Sequence, residues 1–176
     1  MSRWLDVAAI GGLKLPTGAT HRRSPGGERL DTEHQPGTGS WDPIVGLAAS
    51  KARGPVSLRS SALWQISTTG AQATELGDRV NLDTALVYAF GASEHDEQAG
   101  MPDYHHGGLA AMLDANYERE GKERIAGVTE DESGAKTPYL SPGLRYIGES
   151  GWSAALSAGF PVWQDVGRRI PTPRCA

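Results

Sequence analysis

Residues 79–90, RVNLDTALVYAF, alternate more cleanly than any other stretch: Val80, Leu82, Thr84, Leu86, Tyr88 and Phe90 hold one parity, and Arg79, Asn81, Asp83, Ala85, Val87 and Ala89 hold the other. A helix, with a period near 3.6, would scatter these residues around its circumference, whereas a strand sorts them onto two faces. The spacing predicts a β-strand with one apolar and one wet face. Its two aromatics, Tyr88 and Phe90, gather at one end of that strand.

The same period recurs along the chain. Residues 3–15 carry Leu5, Val7, Ala9, Gly11, Leu13 and Leu15 at period two, with Asp6 and Lys14 on the opposite parity. In 56–67, Val56, Leu58, Ala62, Trp64 and Ile66 oppose Ser57, Arg59, Ser61, Gln65 and Ser67, and only Leu63 departs from the pattern. Residues 43–50 form a short strand that follows the turn-forming PGTG at 36–39 and precedes a KARG turn at 51–54. Leu109, Ala111, Leu113, Ala115 and Tyr117 alternate with Ala110, Met112, Asp114, Asn116 and Glu118. Residues 138–147 and 152–162 make a hairpin through GESG at 148–151, with Trp152, Leu156 and Phe160 on one side of its second arm.

Together these segments predict an all-β fold: an antiparallel meander of about seven strands, forming one domain over 1–176. The 23 glycines and 11 prolines punctuate the chain often enough to favour such a meander over a helix bundle. Stretches 17–40 and 119–136 are too long and too polar for hairpin turns and are expected as exposed loops. The connection at 93–106 is also long, although an alternation of long and short ends calls for a short one there.

Composition excludes several classes. The net charge is −4 and no basic block is long enough to track a phosphate backbone, so nucleic acid is not an expected partner. A single cysteine, Cys175, leaves no disulfide framework and no cysteine-based metal cluster. No run approaches 18 apolar residues, which rules out a transmembrane helix. The mean hydropathy is negative, as in many water-soluble chains. Alternating barrel strands average to the same value, so hydropathy does not decide between the two.

GLKLPTG at 12–18, the polar loop after it, PGTGSWDP at 36–43 and LSPGLRYIG at 140–148 occur in this order. Over roughly 12–161 the chain resembles the bacterial outer-membrane β-barrel transporter family named for the MetA pathway of phenol degradation. The resemblance implies a transmembrane β-barrel in the cell outer membrane, with the lipid bilayer, the outer-membrane assembly machinery and a small-molecule solute as partners. Aromatic and hydrophobic compounds are among the solutes it suggests, and no cofactor is expected.

On such a barrel Arg59, Gln65, Asn81, Asp83, Asp114, Asn116, Glu118 and Arg145 would line the lumen, where mixed charges are expected to pair more than to touch solute. Trp64, Leu82, Leu86, Tyr88, Phe90, Leu113, Leu156 and Phe160 would face the membrane. Bacterial single-chain barrels have an even number of strands from eight upward, so about seven predicts an incomplete barrel, the C-terminal part of a larger one. Residues 1–12 lack the basic start, apolar core and cleavage site of an export signal, and IPTPRCA at 170–176 lacks a closing aromatic strand. A truncated reading frame accounts for both.

Two other readings compete. A soluble or periplasmic β-barrel binding a small apolar ligand would turn the same apolar parity inward. An outer-membrane acyl hydrolase would need a serine beside His105 or His106, but no G-x-S-x-G, H-E-x-x-H or phosphate-loop motif occurs, and an enzyme is not expected. His95, Asp96, Glu97, Asp103, His105 and His106 could hold zinc, copper or nickel. Without fixed ligand spacing, a solvated loop is the stronger reading there. The charges of 119–132 read as a solvated loop surface.

Overall fold

A chain that alternates at period two must pair its strands to satisfy the backbone, and here each long strand pairs with the next long strand in sequence. In the computed structural model, which describes residues 5–90, 108–148, 150–163 and 165–166, the long strands are β1 (Asp6–Lys14), β2 (Asp42–Arg53), β3 (Val56–Gln65), β5 (Arg79–Phe90), β6 (Gly108–Glu120) and β9 (Ala135–Ile147). A final strand runs in three pieces, β10 (Ser153–Ser157), β11 (Phe160–Pro161) and β12 (Asp165–Val166), all against β9. The sheet order β1-β2-β3-β5-β6-β9-β10 is an all-β antiparallel meander. A second, small sheet joins β4 (Thr74–Glu75), β7 (Arg124–Ile125) and β8 (Val128–Thr129).

Most expected boundaries hold within a few residues, and the departures have physical causes. Strand β2 continues through the expected KARG turn to Arg53, and Gly54–Pro55 makes the turn, with Gly54 at φ 54°. That positive φ is the conformation a two-residue hairpin reserves for glycine. Strands β6 and β9 likewise extend into the charged stretch, so the loop between them is 121–134.

The last strand breaks because of its neighbour. Pro138 and Pro142 of β9 accept from Val162 at 2.9 Å and Ala158 at 3.1 Å, so their ring nitrogens also point at the last strand. Each proline removes one ladder donor on that side. The strand accordingly lapses at 158–159 and again beyond 161.

Leu63, the one departure in β3, sits opposite Gly46. A Cβ at Gly46 would lie 2.6 Å from a Leu63 methyl, so the leucine fills the space where β2 has no side chain.

All three described long connections leave the same end of the sheet and are knitted together there. Gly18 and Gly37 touch backbone to backbone, where a Cβ at Gly18 would lie 2.6 Å from the Gly37 Cα. Gln35 braces loop 15–41 from within, accepting from the Arg22 N–H at 2.8 Å and donating to the Leu30 carbonyl at 2.7 Å. This loop reaches the next through Thr32 Oγ1 to the Ala71 carbonyl at 3.1 Å and the Ala71 N–H to the Thr38 carbonyl at 2.8 Å. Pairing of β4 with β7 ties loop 66–78 to loop 121–134.

The charge run is more ordered than a purely solvated surface. Lys122 bonds Asp131 at 2.6 Å and holds its carboxyl below the usual carboxylate range, and Arg124 lies 3.4 Å from Glu75.

Candidate functional site

Strand register carries side-chain parity across the whole sheet, because directly opposed residues share a face. Leu47 faces Ala62, then Leu82, Tyr117 and Pro138 follow in the same row. Two residues along, Ala49, Ser60, Thr84, Ala115, Leu140 and Phe160 form the next. One face is thus almost wholly apolar from β1 to the last strand. Its strand charges, Lys51, Arg53, Arg119, Lys136 and Asp165, all lie at strand ends.

Among the described residues nothing covers that face. Leu47 is 59% exposed and Leu156 80%, whereas the buried apolar residues among those described are Ala89 and Ala110 alone. A water-soluble domain of this length would bury such leucines against a second layer. Here the burial pattern is inverted: the apolar side chains are open, while the polar Asn81, Asp83, Asp114 and Asn116 on the other face are half-buried.

Trp64, Leu82, Leu86, Tyr88, Phe90, Leu113, Leu156 and Phe160 all fall on the apolar face, and each is exposed. Aromatics mark both of its ends. Tyr88 meets Phe90 edge-on at 5.1 Å, and Tyr146 lies 5.2 Å from Trp152, near the turn end. At the loop end the Trp64 indole N–H donates to Asp78 at 3.2 Å. A 13-residue strand such as β6 rises roughly 40 Å, longer than the roughly 30 Å thickness of a bilayer's hydrocarbon core.

Arg59, Gln65, Asn81, Asp83, Asp114, Asn116, Glu118 and Arg145 share the opposite face. A groove of about 630 Å³ runs along it, touching residues from β1 to β6, including Asp6, Arg59, Asp83, Asp114 and Asn116. Asn116 donates to Asp83 at 2.7 Å and Ser61 approaches its other oxygen at 3.4 Å. Glu118 stands opposite Asn81 one row nearer the loops, and Arg145 stands opposite Ala110 toward the turn end.

Ion pairing concentrates at the loop end of this face. Arg79 bonds Glu120 at 2.9 Å across directly opposed positions. The Lys14 ammonium pairs with Asp42, which is 1% exposed and also accepts from the Thr68 N–H at 3.0 Å and from Gln65 at 3.4 Å. Sequence reading missed the Asp42 hub, although Lys14 and Asp42 are register partners that end β1 and begin β2. Gln65 therefore serves this hub at the rim.

His95, Asp96, His105 and His106 lie outside the described residues, as do Glu97 and Asp103. Among the described residues, the ligand atoms of Asp31, Glu33 and His34 lie within 4.8 Å of one another on the exposed loop surface. No protein-family model, curated protein or solved structure matches this chain.

Proposed function

We propose that this chain forms the wall of an outer-membrane β-barrel that passes small solutes along its polar face, as the resemblance to the MetA-pathway transporter family implies. The observation that carries this reading is the inverted burial: a continuous apolar face with no covering layer among the described residues, backed by a sheltered polar one. Lipid covers such a face, and water fills the other side. Against a soluble ligand-binding barrel stands the same fact, since its core would have to be built from Leu82, Leu86 and Leu113, which are all exposed.

Strand direction sets what closing such a barrel requires. Among the described residues β1 pairs only with β2, and the last strand only with β9. Both edge strands run from the turn end to the loop end, so joining them directly would be parallel. An antiparallel barrel takes an odd number of further strands between them, which restores the even count of bacterial barrels. Open edges in lipid would leave backbone groups unpaired at several kcal/mol each.

Expression behind a supplied export signal tests the reading. Once an odd number of further strands closes the sheet, the protein is expected in the outer-membrane fraction as a band whose migration shifts on boiling, and purified protein is expected to make liposomes swell in small neutral solutes. A folded product that stays soluble without detergent would overturn it.

A further inference from the structure

We infer that the groove on the polar face selects small organic cations, with Asp6, Asp83 and Asp114 attracting them and Arg59 opposing. The inference rests on the conduit reading above and adds the class of solute. Register places Asp6, Arg59 and Asp114 in one row, while Asp83 and Asn116 occupy the next row toward the loops, and all five line the same groove.

Asn116 and Ser61 are neutral donors, so they orient the Asp83 carboxylate without cancelling its charge. Arg59 stands opposite Ala85, and no carboxylate among the described residues lies within ion-pair distance of it. Three carboxylates thus meet one guanidinium along this groove, from the start of edge strand β1 to β6, whereas Lys14–Asp42 and Arg79–Glu120 neutralise each other at the loop end. Low-dielectric walls focus an unbalanced charge into the space between them.

The ligand class follows from the rest of the lining. Ala8, Ala48 and Ala85 keep the groove wide and supply methyl groups. Carboxylates spread over separate strands suit a diffuse alkylammonium charge better than a metal ion that needs converging ligands.

The test is equilibrium dialysis of the full chain folded in detergent micelles, with tetraethylammonium and benzenesulfonate as probes. Tetraethylammonium is expected to bind and benzenesulfonate to be excluded. Asp114→Asn, at a carboxylate with no hydrogen bond to lose among the described residues, should weaken the cation about five- to tenfold. Asp83→Asn should act in the same direction and Arg59→Gln in the opposite one. Equal binding of both probes, binding of neither, or an unchanged Asp114→Asn variant would overturn the inference. Liposome swelling in a neutral sugar separates it from the conduit reading: cation binding without swelling defeats the conduit alone, and swelling without cation preference defeats the inference alone.

Discussion

Leu86→Arg is expected to abolish the folded, heat-modifiable form of the protein in outer membranes, while Val87→Arg, its immediate neighbour, leaves that form in place. Leu86 lies on the apolar face opposite Leu58 and Leu113, near the middle of its strand, and is 43% exposed. On the proposed barrel a guanidinium there would enter the hydrocarbon at about 2–4 kcal/mol. Such a cost is a large part of the stability of any single domain. Val87 turns to the polar face between Ser57 and Met112, where an arginine can reach water. Equal loss in both variants would mean that the two faces do not differ in what they touch.

Gly77→Ala is expected to unpick the loop layer without unfolding the sheet. A Cβ at Gly77 would stand 1.9 Å from the Gly121 carbonyl oxygen, and the obstructing atom is backbone. The two loops must separate by more than 1 Å at the point where the Gly121 N–H reaches the Asp78 carbonyl at 2.8 Å. Overpacking of this kind costs about 1–3 kcal/mol, and the cost falls on the β4–β7 pairing and the Glu75–Arg124 contact beyond it. In intact cells trypsin should then cut after Lys122 and Arg124 at least tenfold faster, a factor worth about 1.4 kcal/mol. Gly26→Ala makes the control, since its Cβ would meet only the Ser24 hydroxyl at 3.7 Å. Unchanged cleavage in Gly77→Ala would show that the loops move independently.

What was legible in the sequence is what parity encodes. Strand β5 matches its predicted span of 79–90 because large apolar side chains mark one parity at Val80, Leu82, Leu86, Tyr88 and Phe90 and polar ones mark the other at Arg79, Asn81 and Asp83. The sorting of Arg59, Asp83 and Asn116 away from Leu82, Leu86 and Leu113 follows from the same alternation, carried between strands by register. Where a strand end carries cations on its apolar parity, as with Lys51 and Arg53, the sequence mimics a turn, and β2 read too short. Long Lys and Arg side chains can sit there because they reach past the apolar belt to water.

Other features had no local signal. The lapses in the last strand originate in Pro138 and Pro142, which belong to its neighbour, so its own sequence could not reveal them. Leu63 breaks the alternation of its own strand, and its reason, Gly46, lies on the neighbouring one. The Gly18–Gly37 contact closes one long loop on itself and the Gly77–Gly121 contact joins two loops far apart in sequence, and glycines in polar stretches read only as turns. Pairing of Lys14 with Asp42 depended on β1–β2 register, which parity alone leaves open by steps of two.

The most direct measurement is a cysteine scan of β5 in lipid vesicles. Cys175 is replaced by serine, and single cysteines are placed in turn from 80 to 90, each carrying an environment-sensitive fluorophore. Quenching by lipid-borne nitroxide should peak at 82, 84, 86 and 88, and quenching by aqueous iodide should peak at 81, 83, 85 and 87. Iodide quenching at every position, or a pattern with the even positions shielded from both quenchers, would contradict a sheet that presents its apolar face to lipid.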